Sequence, residues 1–452
     1  MRNPCSLVVL AASCTVLLTN CMVKETRPLA KLAAVQAVAQ IEQTRLLDVG
    51  VREFEQNLPP KIANDETAMA KLRIYPDIRK AEAVLIPSML RSTLETSSQW
   101  GAVRVVPPSV QFMDVIVTGR ILESTGAHLA LEIHVVDATG RVWIEHRKYE
   151  SDADIGSYKT DVALRARDPF QNVYSQIAND LVKQRDLIAD ADQRDIRRVT
   201  SLRFAQDIAP DALSGYLTTD SKTGITHLVR LPAADDPVAK RVEKIRERDG
   251  GVIDTVDGYY AGFSEKLHDS YGSWRRASYD AIEKEDKARS QARTRTVLGA
   301  AAVLASIFVP SQCGSGSTNC QRVESVGRYA GEIGGIAAVL SGIKKYGEAK
   351  TYASSVKELA ASFQNEVAPQ VVELQGRTFK LTGTAEEQYR EWRKLLGEIY
   401  REEAGGPSTL PLPQPLASPA PAPAAATAPA PAAPGIATVV APTTAPAGAP
   451  KS

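Results

Sequence analysis

Five cysteines carry the most reactive side chains of this sequence, and their chemistry depends on the compartment. Cys5 and Cys14 lie in an apolar amino-terminal stretch that ends at Cys21. Cys313 and Cys320 flank a loop of Gly, Ser, Thr and Asn. In an oxidising compartment two thiols across such a flexible loop form a disulfide, whereas a metal site would need further Cys or His ligands nearby. The spacing therefore predicts a Cys313–Cys320 disulfide.

The amino-terminal stretch indicates which compartment that is. Arg2 supplies a positive start and residues 7–18 an apolar core, which is typical of a secretory signal and too short for a spanning helix. Residues 1–20 are therefore predicted to be a signal peptide. Residues 21–44 follow as a tether, and their Ala, Lys, Val and Gln composition favours a helix.

Residues 18–21, Leu-Thr-Asn-Cys, resemble the lipobox of bacterial lipoproteins, whose cysteine thiol receives a diacylglyceryl group. Leu18 and Cys21 fit that motif, while Asn20 stands where Gly, Ala or Ser is usual. The resemblance implies a lipidated Cys21, and Met22 in place of an aspartate implies the periplasm-facing outer membrane. Each buried CH2 of the acyl chains contributes about 0.8 kcal/mol to membrane attachment. The alternative is an ordinary signal peptide that is cleaved elsewhere.

Histidines and carboxylates on the predicted strands are the remaining candidates for site chemistry. His134 and His146 face each other in a predicted hairpin, but no third ligand stands at a fixed spacing, which favours cross-strand packing. Glu150, Asp152 and Asp154 form an acidic trio without the glycine turn and closing glutamate of a calcium loop. No metal site is predicted from either group.

Motifs of the common enzyme classes are missing from the sequence. It has no phosphate-binding Gly-x-x-x-x-Gly-Lys run, no Gly-x-Ser-x-Gly elbow and no His-Glu-x-x-His. The 452 residues include 54 basic and 53 acidic side chains, so no net charge attracts nucleic acid. The sequence predicts a protein that is not an enzyme, has no cofactor and does not bind nucleic acid.

The elements that would position these residues follow from hydrophobic periodicity. A helix is predicted over 77–98, with a kink or break at Pro87, and another begins at an Asp168–Pro169 cap. Alternating segments predict strands at 46–54, 102–106, 114–122, 129–136 and 142–149. This order predicts an α+β fold for residues 45–192, with a mostly antiparallel sheet and helices on one face.

Residues 45–190 resemble, at the level of pattern, a group of bacterial envelope lipoproteins and domains. The matching run comprises LLDVGVREF, AEAVLIPSMLRSTLETS, WGAVRVVPP and DVIVTGRILES. The group includes the curli-secretion channel lipoprotein and the outer-membrane activators of penicillin-binding proteins. It also includes the amino-terminal domain of the Tol β-propeller protein. The resemblance implies protein binding and no shared catalytic residues.

The rest of the chain is divided by composition. Residues 193–252 form a mixed connecting region, with a hairpin over 216–231 and a charged helix over 237–248. Residues 253–404 are predicted to be a helical domain that contains a hydrophobic helical hairpin at 297–343, a hairpin or strand at 371–381 and an amphipathic helix at 385–401. The Pro- and Ala-rich residues 405–452 are predicted to be a disordered tail.

The hydrophobic hairpin has glycines at regular spacing. Gly327, Gly331 and Gly335 recur every four residues, which brings them onto one stripe of a helix. Small residues at this spacing let helix backbones approach closely, so the stripe predicts helix packing. Three interpretations remain open: an oligomerisation device, a hairpin that dips into lipid, and a buried core element.

These observations combine into one functional hypothesis. The chain is expected to be a non-enzymatic outer-membrane lipoprotein that tethers or assembles protein partners, through the sheet edge or a helix face. The expected partners are the membrane through the lipid anchor, an unidentified envelope protein and further copies of the chain. The alternatives are a subunit of an outer-membrane secretion channel and a cell-wall hydrolase.

Overall fold

The computed structural model of the chain describes residues 29–158, 167–308, 357–358, 370–374 and 377–405. Its strands are β1 (Val49–Arg52), β2 (Val103–Val106), β3 (Val115–Ser124), β4 (His128–Asp137), β5 (Val142–Asp152), β6 (Leu217–Thr219), β7 (Thr226–Leu228), β8 (Gln370–Leu374) and β9 (Arg377–Leu381). Its α-helices are α1 (Glu66–Lys71), α2 (Pro76–Thr96), α3 (Gln171–Asp186), α4 (Asp190–Ile208), α5 (Pro237–Phe308) and α6 (Ala385–Glu403).

The fold is α+β, as predicted, but the main sheet is mixed rather than mostly antiparallel. Its strand order is β2-β1-β3-β4-β5. Strand β1 pairs in parallel with both β2 and β3, whereas β4 is antiparallel to β3 and to β5. The β1–β2 pair is parallel because α2 returns the chain to the same end of the sheet, so that β2 runs in the direction of β1.

A glycine in β1 allows the second parallel pair to form. The loop from β2 to β3 crosses β1 before β3 pairs on its other side. A Cβ built at Gly50 would lie 2.9 Å from Cγ of Met113 and 3.2 Å from Cγ2 of Val106. The missing side chain therefore makes room for the crossing loop.

Proline at position 87 does not break α2, which continues from Pro76 to Thr96. Proline has no N–H, so the carbonyl four residues earlier, at Ala83, loses its partner within the helix. The N–H of Phe54, just after β1, donates to that carbonyl at 2.9 Å. The Ala83 carbonyl, which has no partner within the helix, therefore connects α2 to the end of β1.

Three clusters of buried side chains hold the elements together. In the first, α2, α3 and the start of α4 pack on one face of the main sheet. The second joins the β2–β3 loop, α4, the beginning of α5, β9 and α6. The third packs the other side of α2 against α5, from Val256 to Trp274. The second and third clusters combine residues from both sides of the boundary predicted at 192/193.

The helix predicted at 237–248 is the first part of the single helix α5, which continues to Phe308. Asp236 caps its start, since its Oδ1 accepts the N–H groups of Val238 and Ala239 at 2.8 and 3.0 Å. The predicted hairpin at 216–231 forms as β6–β7, and the segment predicted as a hairpin or strand at 371–381 forms the hairpin β8–β9. Helix α6 begins at the predicted residue, with a capping box of Thr384 and Glu387, and ends two residues beyond the predicted end.

Candidate functional site

Several predicted site residues lie outside the part of the chain that the structure describes. They are the lipidation site Cys21, the disulfide pair Cys313 and Cys320, and the helix-packing residues Gly327, Gly331 and Gly335. The signal peptide, most of the hydrophobic hairpin and the Pro/Ala-rich tail also lie outside it. Among the described residues, no helix combines the length and the apolar character that a membrane crossing requires.

The two predicted hairpin histidines stack on the exposed face of the main sheet. The rings of His134 and His146 are 4.6 Å apart at an angle of 16°. Burial, together with the nearby His146, lowers the pKa of His134. His146 also contacts Glu132 through Nδ1 at 3.3 Å. No group of three potential metal ligands occurs within the described ranges.

The acidic trio is divided between two environments. Glu150 and Asp152 both contact His128, at 3.4 and 3.0 Å. Asp154 turns the other way and lies 3.5 Å from Nη1 of Arg167. The three carboxylates therefore do not converge on one point.

Neither outer strand of the main sheet offers a regular free edge. The backbone of β2 is already engaged, because Val105 N–H donates to Asp257 and the Val103 carbonyl accepts from Arg91. On the opposite side, the pairing of β5 with β4 is interrupted by a register shift, and His146 adopts φ of 43°. A bulge of this kind on a charged outer strand opposes the addition of another strand.

A cleft on the helical side is the more promising site. It is a cavity of about 1010 Å³ between α2, α5 and an extended amino-terminal segment. Leu32 contributes the wall on the amino-terminal segment, Met89 and Thr93 that of α2, and His268 and Arg276 that of α5.

An ion pair forms part of this cleft. Nη2 of Arg275 donates to Oδ2 of Asp168 at 2.8 Å, and both side chains are more than nine-tenths buried. Asp168 was predicted to cap a helix with Pro169 in its first turn, but α3 begins only at Gln171. The other carboxylate oxygen of Asp168 accepts the Phe170 N–H at 2.8 Å, so Asp168 caps the turn before the helix.

A second buried carboxylate, Glu82, lies behind the cleft. Ser124 Oγ and Tyr271 OH donate to its Oε1 at 2.5 and 2.9 Å, and Arg79 lies 3.7 Å from its Oε2. Burial raises the pKa of Glu82, against the opposing effects of Arg79 and both hydroxyls. Since Glu82 belongs to α2, Ser124 to β3 and Tyr271 to α5, this carboxylate connects three elements.

The turn after β3 fits tightly against α5. Ser278 Oγ accepts the N–H of Gly126 at 3.3 Å, and the Gly126 carbonyl accepts from Tyr158 OH at 2.8 Å. A Cβ at position 126 would overlap the carbonyl oxygen of Arg275 and the backbone nitrogen of Tyr279. We call the contacts of Glu82, Asp168 and Gly126 with α5 the buried joint.

The amino-terminal segment corrects the prediction of a helical tether. Residues 29–42 are not helical, and residues 30–37, which we call the strap, lie along α3. Asn172 donates from Nδ2 to the Ala30 carbonyl and accepts the Leu32 N–H at Oδ1, at 3.0 and 2.9 Å. Side-chain bonds replace the helical ones, so the strap's backbone groups are satisfied in an extended conformation.

Asn179 repeats this arrangement one step further along the strap. Its Nδ2 donates to the Ala33 carbonyl at 3.0 Å, and its Oδ1 accepts the Val35 N–H at 2.7 Å. Each amide thus engages one carbonyl and the N–H two residues later. Together the two side chains hold four backbone groups of the strap.

Further side chains close over the same segment. Arg167 donates to the Leu32 carbonyl at 2.8 Å and to Oδ1 of Asn172 at 2.7 Å, which orients that amide. Gln99 donates to the Val35 carbonyl at 3.3 Å, and the Ala37 N–H donates to the Ser97 carbonyl at 3.0 Å. The sequence patterns did not predict this site. The spacing of Asn172 and Asn179, seven positions on a helix, was the available signal.

Comparisons with known proteins add no assignment. The chain matches no known protein family, no curated protein and no solved structure.

Proposed function

We propose that this protein is an outer-membrane lipoprotein, attached through an acylated Cys21 and facing the periplasm, that tethers or assembles protein partners. It works without catalysis, and its partners are envelope proteins and further copies of the chain. The pattern-level resemblance to the curli-channel and penicillin-binding-protein activator group supports the same role.

The strap is the observation that carries this proposal. Ala30 follows Cys21 by only nine positions, and an extended chain of that length reaches about 30 Å. With residues 30–37 fastened to α3, an acyl chain on Cys21 would keep the folded part near the membrane. A segment that is fastened so close to an acylated Cys21 suits a protein that acts at the membrane surface.

The cleft supports binding rather than catalysis. Its buried carboxylate, Asp168, is paired with Arg275 and caps the turn before α3. Glu82 is engaged by two hydroxyl groups and an arginine. These charged side chains are used in contacts between elements of the fold. The surface that remains for a partner is the strap side of the cleft.

Mass spectrometry of the mature amino terminus tests the anchor. The protein, expressed in a bacterial host with an outer membrane, should carry acyl chains on Cys21 and sediment with that membrane. Cys21→Ser should abolish acylation, whereas Cys5→Ser, inside the predicted signal, should leave it unchanged. A mature terminus without lipid would contradict the proposal.

Cross-linking tests the role in assembly. Envelope cross-linking followed by affinity capture, with the full chain and with a chain ending at Gly406, should recover a defined set of envelope proteins. Recovery of the same proteins from cells without the tagged chain would count against tethering.

A further inference from the structure

The two asparagines form a repeated receptor for polypeptide backbone. Each amide binds one carbonyl and the N–H two residues later, Ala30 and Leu32 at Asn172, and Ala33 and Val35 at Asn179. These contacts use only main-chain atoms of the strap. The hydrogen bonds themselves therefore do not depend on which side chains the bound segment carries.

The spacing of the two receptors fits an extended chain whose bound groups recur every third residue. Asn172 and Asn179 are seven positions apart on α3, which corresponds to about 10.5 Å along a helix. The groups that they bind repeat after three residues, or about 9.3 Å in a polyproline II helix. Two turns of α3 therefore match one turn of polyproline II.

The burial of the strap shows the same three-residue period. Ala34 and Ala37 are half-buried, whereas every other residue from 30 to 40 is exposed. The larger side chains face outward, with Leu32 40%, Val35 51% and Val38 102% exposed. The site therefore requires a small residue at the positions of Ala34 and Ala37 and accepts varied residues at the exposed ones.

We propose that the Asn172–Asn179 face of α3 is a binding site for a polyproline II-type segment of a partner protein, and that the strap is its resident occupant. The ligand needs small residues at the positions of Ala34 and Ala37, and free N–H groups at those of Leu32, Val35 and Ala37, since the Ala37 N–H donates to the Ser97 carbonyl. Proline is excluded from these three positions and tolerated at that of Ala33.

This inference rests on the proposed function, because an envelope partner would supply the segment. When such a segment binds, the strap is displaced and the link from Cys21 extends to the next fastened residue, Gln43, whose carbonyl accepts from Arg197. Its maximal length then increases from about 30 Å to about 75 Å. Partner binding and the reach of the anchored protein are thereby coupled.

Limited proteolysis of the purified full chain tests the site. Trypsin cleavage after Lys31 reports a released strap, because Lys31 lies between the two backbone contacts of Asn172. Asn172→Ala with Asn179→Ala should accelerate this cleavage at least tenfold. Gln184→Ala, on the same helix but about 120° round its axis from Asn172, should leave the rate unchanged.

A synthetic peptide of residues 29–38, with glutamine in place of its lysine, then serves as the competitor. Added at millimolar concentration, it should raise the cleavage rate of the unaltered chain towards that of the double variant. A peptide with proline at the positions of Leu32 and Val35 should have no effect. A peptide with proline at the position of Ala33, whose N–H is not used, should remain active.

Two results would overturn the inference. If the double variant is cleaved quickly but no peptide accelerates cleavage of the unaltered chain, the strap is a permanent part of the fold. If the double variant is cleaved as slowly as the unaltered chain, the asparagines do not hold the strap. Neither result bears on acylation of Cys21, which the mass measurement decides separately.

Discussion

The strap and the buried joint attach two parts of the chain to the sheet and its helices by different means. The strap uses neutral amides that bind main-chain groups at an accessible surface. The joint uses a buried ion pair, Arg275 with Asp168, and the buried carboxylate of Glu82, which accepts from Tyr271. The first attachment can be exchanged for an equivalent peptide, whereas the second depends on these particular side chains.

This difference separates a regulated contact from a structural one. Breaking an accessible hydrogen bond lets water replace the lost partner, so the net loss is about 0.5–1.5 kcal/mol. Breaking a buried ion pair leaves an unpaired charge in the interior, which costs about 3–5 kcal/mol. Substitutions that break the contacts of the buried joint should therefore destabilise the whole fold, whereas substitutions that break the strap's hydrogen bonds should release only the strap.

Removing the arginine of the joint should have the largest effect. Arg275→Ala leaves Asp168 buried without its cation and also removes a guanidinium that lies 4.6 Å from the Tyr271 ring. The free energy of unfolding should fall by about 3–5 kcal/mol, measured by urea denaturation. Arg276→Ala, at the half-buried neighbouring position, should lose less than half as much. Equal losses would show that the ion pair is not what holds the joint.

A glycine substitution should separate packing from charge in the same joint. Gly126→Ala forces the turn after β3 away from the backbone of α5 and should cost about 3 kcal/mol. Gly258→Ala is the matched control, because no atom lies within 4 Å of a Cβ there. It should stabilise α5 by about 1 kcal/mol, since alanine favours a helix. Thermal unfolding of both variants measures the contrast, and an unchanged Gly126→Ala midpoint would contradict tight docking.

Another buried carboxylate makes the attachment of α5 to α6 sensitive to pH. Asp249 accepts from Trp392 Nε1 at 3.1 Å and from Tyr389 OH at 3.3 Å. Burial raises the pKa of Asp249 from 3.8 to about 6, against the opposing charge of Arg393. The folded state therefore holds this proton more tightly than the unfolded state, and the resulting stabilisation is lost as the pH rises through about 6.

Asparagine at position 249 should remove that dependence. Between pH 5 and pH 7 the Asp249 contribution to the free energy of unfolding should fall by about 1 kcal/mol. Urea denaturation at both values should show this fall in the unaltered chain and a smaller one in Asp249→Asn. Identical pH dependence in the two proteins would exclude titration of Asp249 in this range.

The sequence predicted the elements whose burial repeats with a regular period. Burial alternates over most of β4, and α6 buries Tyr389, Trp392 and Leu396 on one side, so both elements follow from pattern. The strap was predicted to be helical because its composition suits a helix. Its half-buried residues are three positions apart, a spacing that is diagnostic of neither an amphipathic helix nor an alternating strand. Asn172 and Asn179 matter only in contact with a segment some 140 positions earlier, which local pattern does not reveal.

The parallel pairing and the joint were missed for the same reason. The direction of β2 depends on how α2 packs, and the role of Glu82 depends on Ser124 and Tyr271, which belong to two other elements. Within the sequence Glu82 is one carboxylate in an amphipathic helix. Its neighbours in space follow only from the assembled fold.

The smallest change in global stability is expected for a substitution in the strap's binding site, and it tests most directly how the strap differs from the buried joint. Asn172→Ala removes two accessible hydrogen bonds from the strap, and the global free energy of unfolding should change by about 0.5 kcal/mol or less. Locally, hydrogen exchange at the Leu32 amide should accelerate about tenfold, which corresponds to about 1.4 kcal/mol of local opening.

The Val35 amide, held by the intact Asn179, supplies the internal reference for that measurement. If the two receptors act independently, exchange at Val35 should rise by a smaller factor than exchange at Leu32. If both amides accelerate equally, the strap opens as one unit and a single displaced contact is enough to release it. A large loss of global stability on Asn172→Ala would instead place the strap with the buried joint, as a structural attachment.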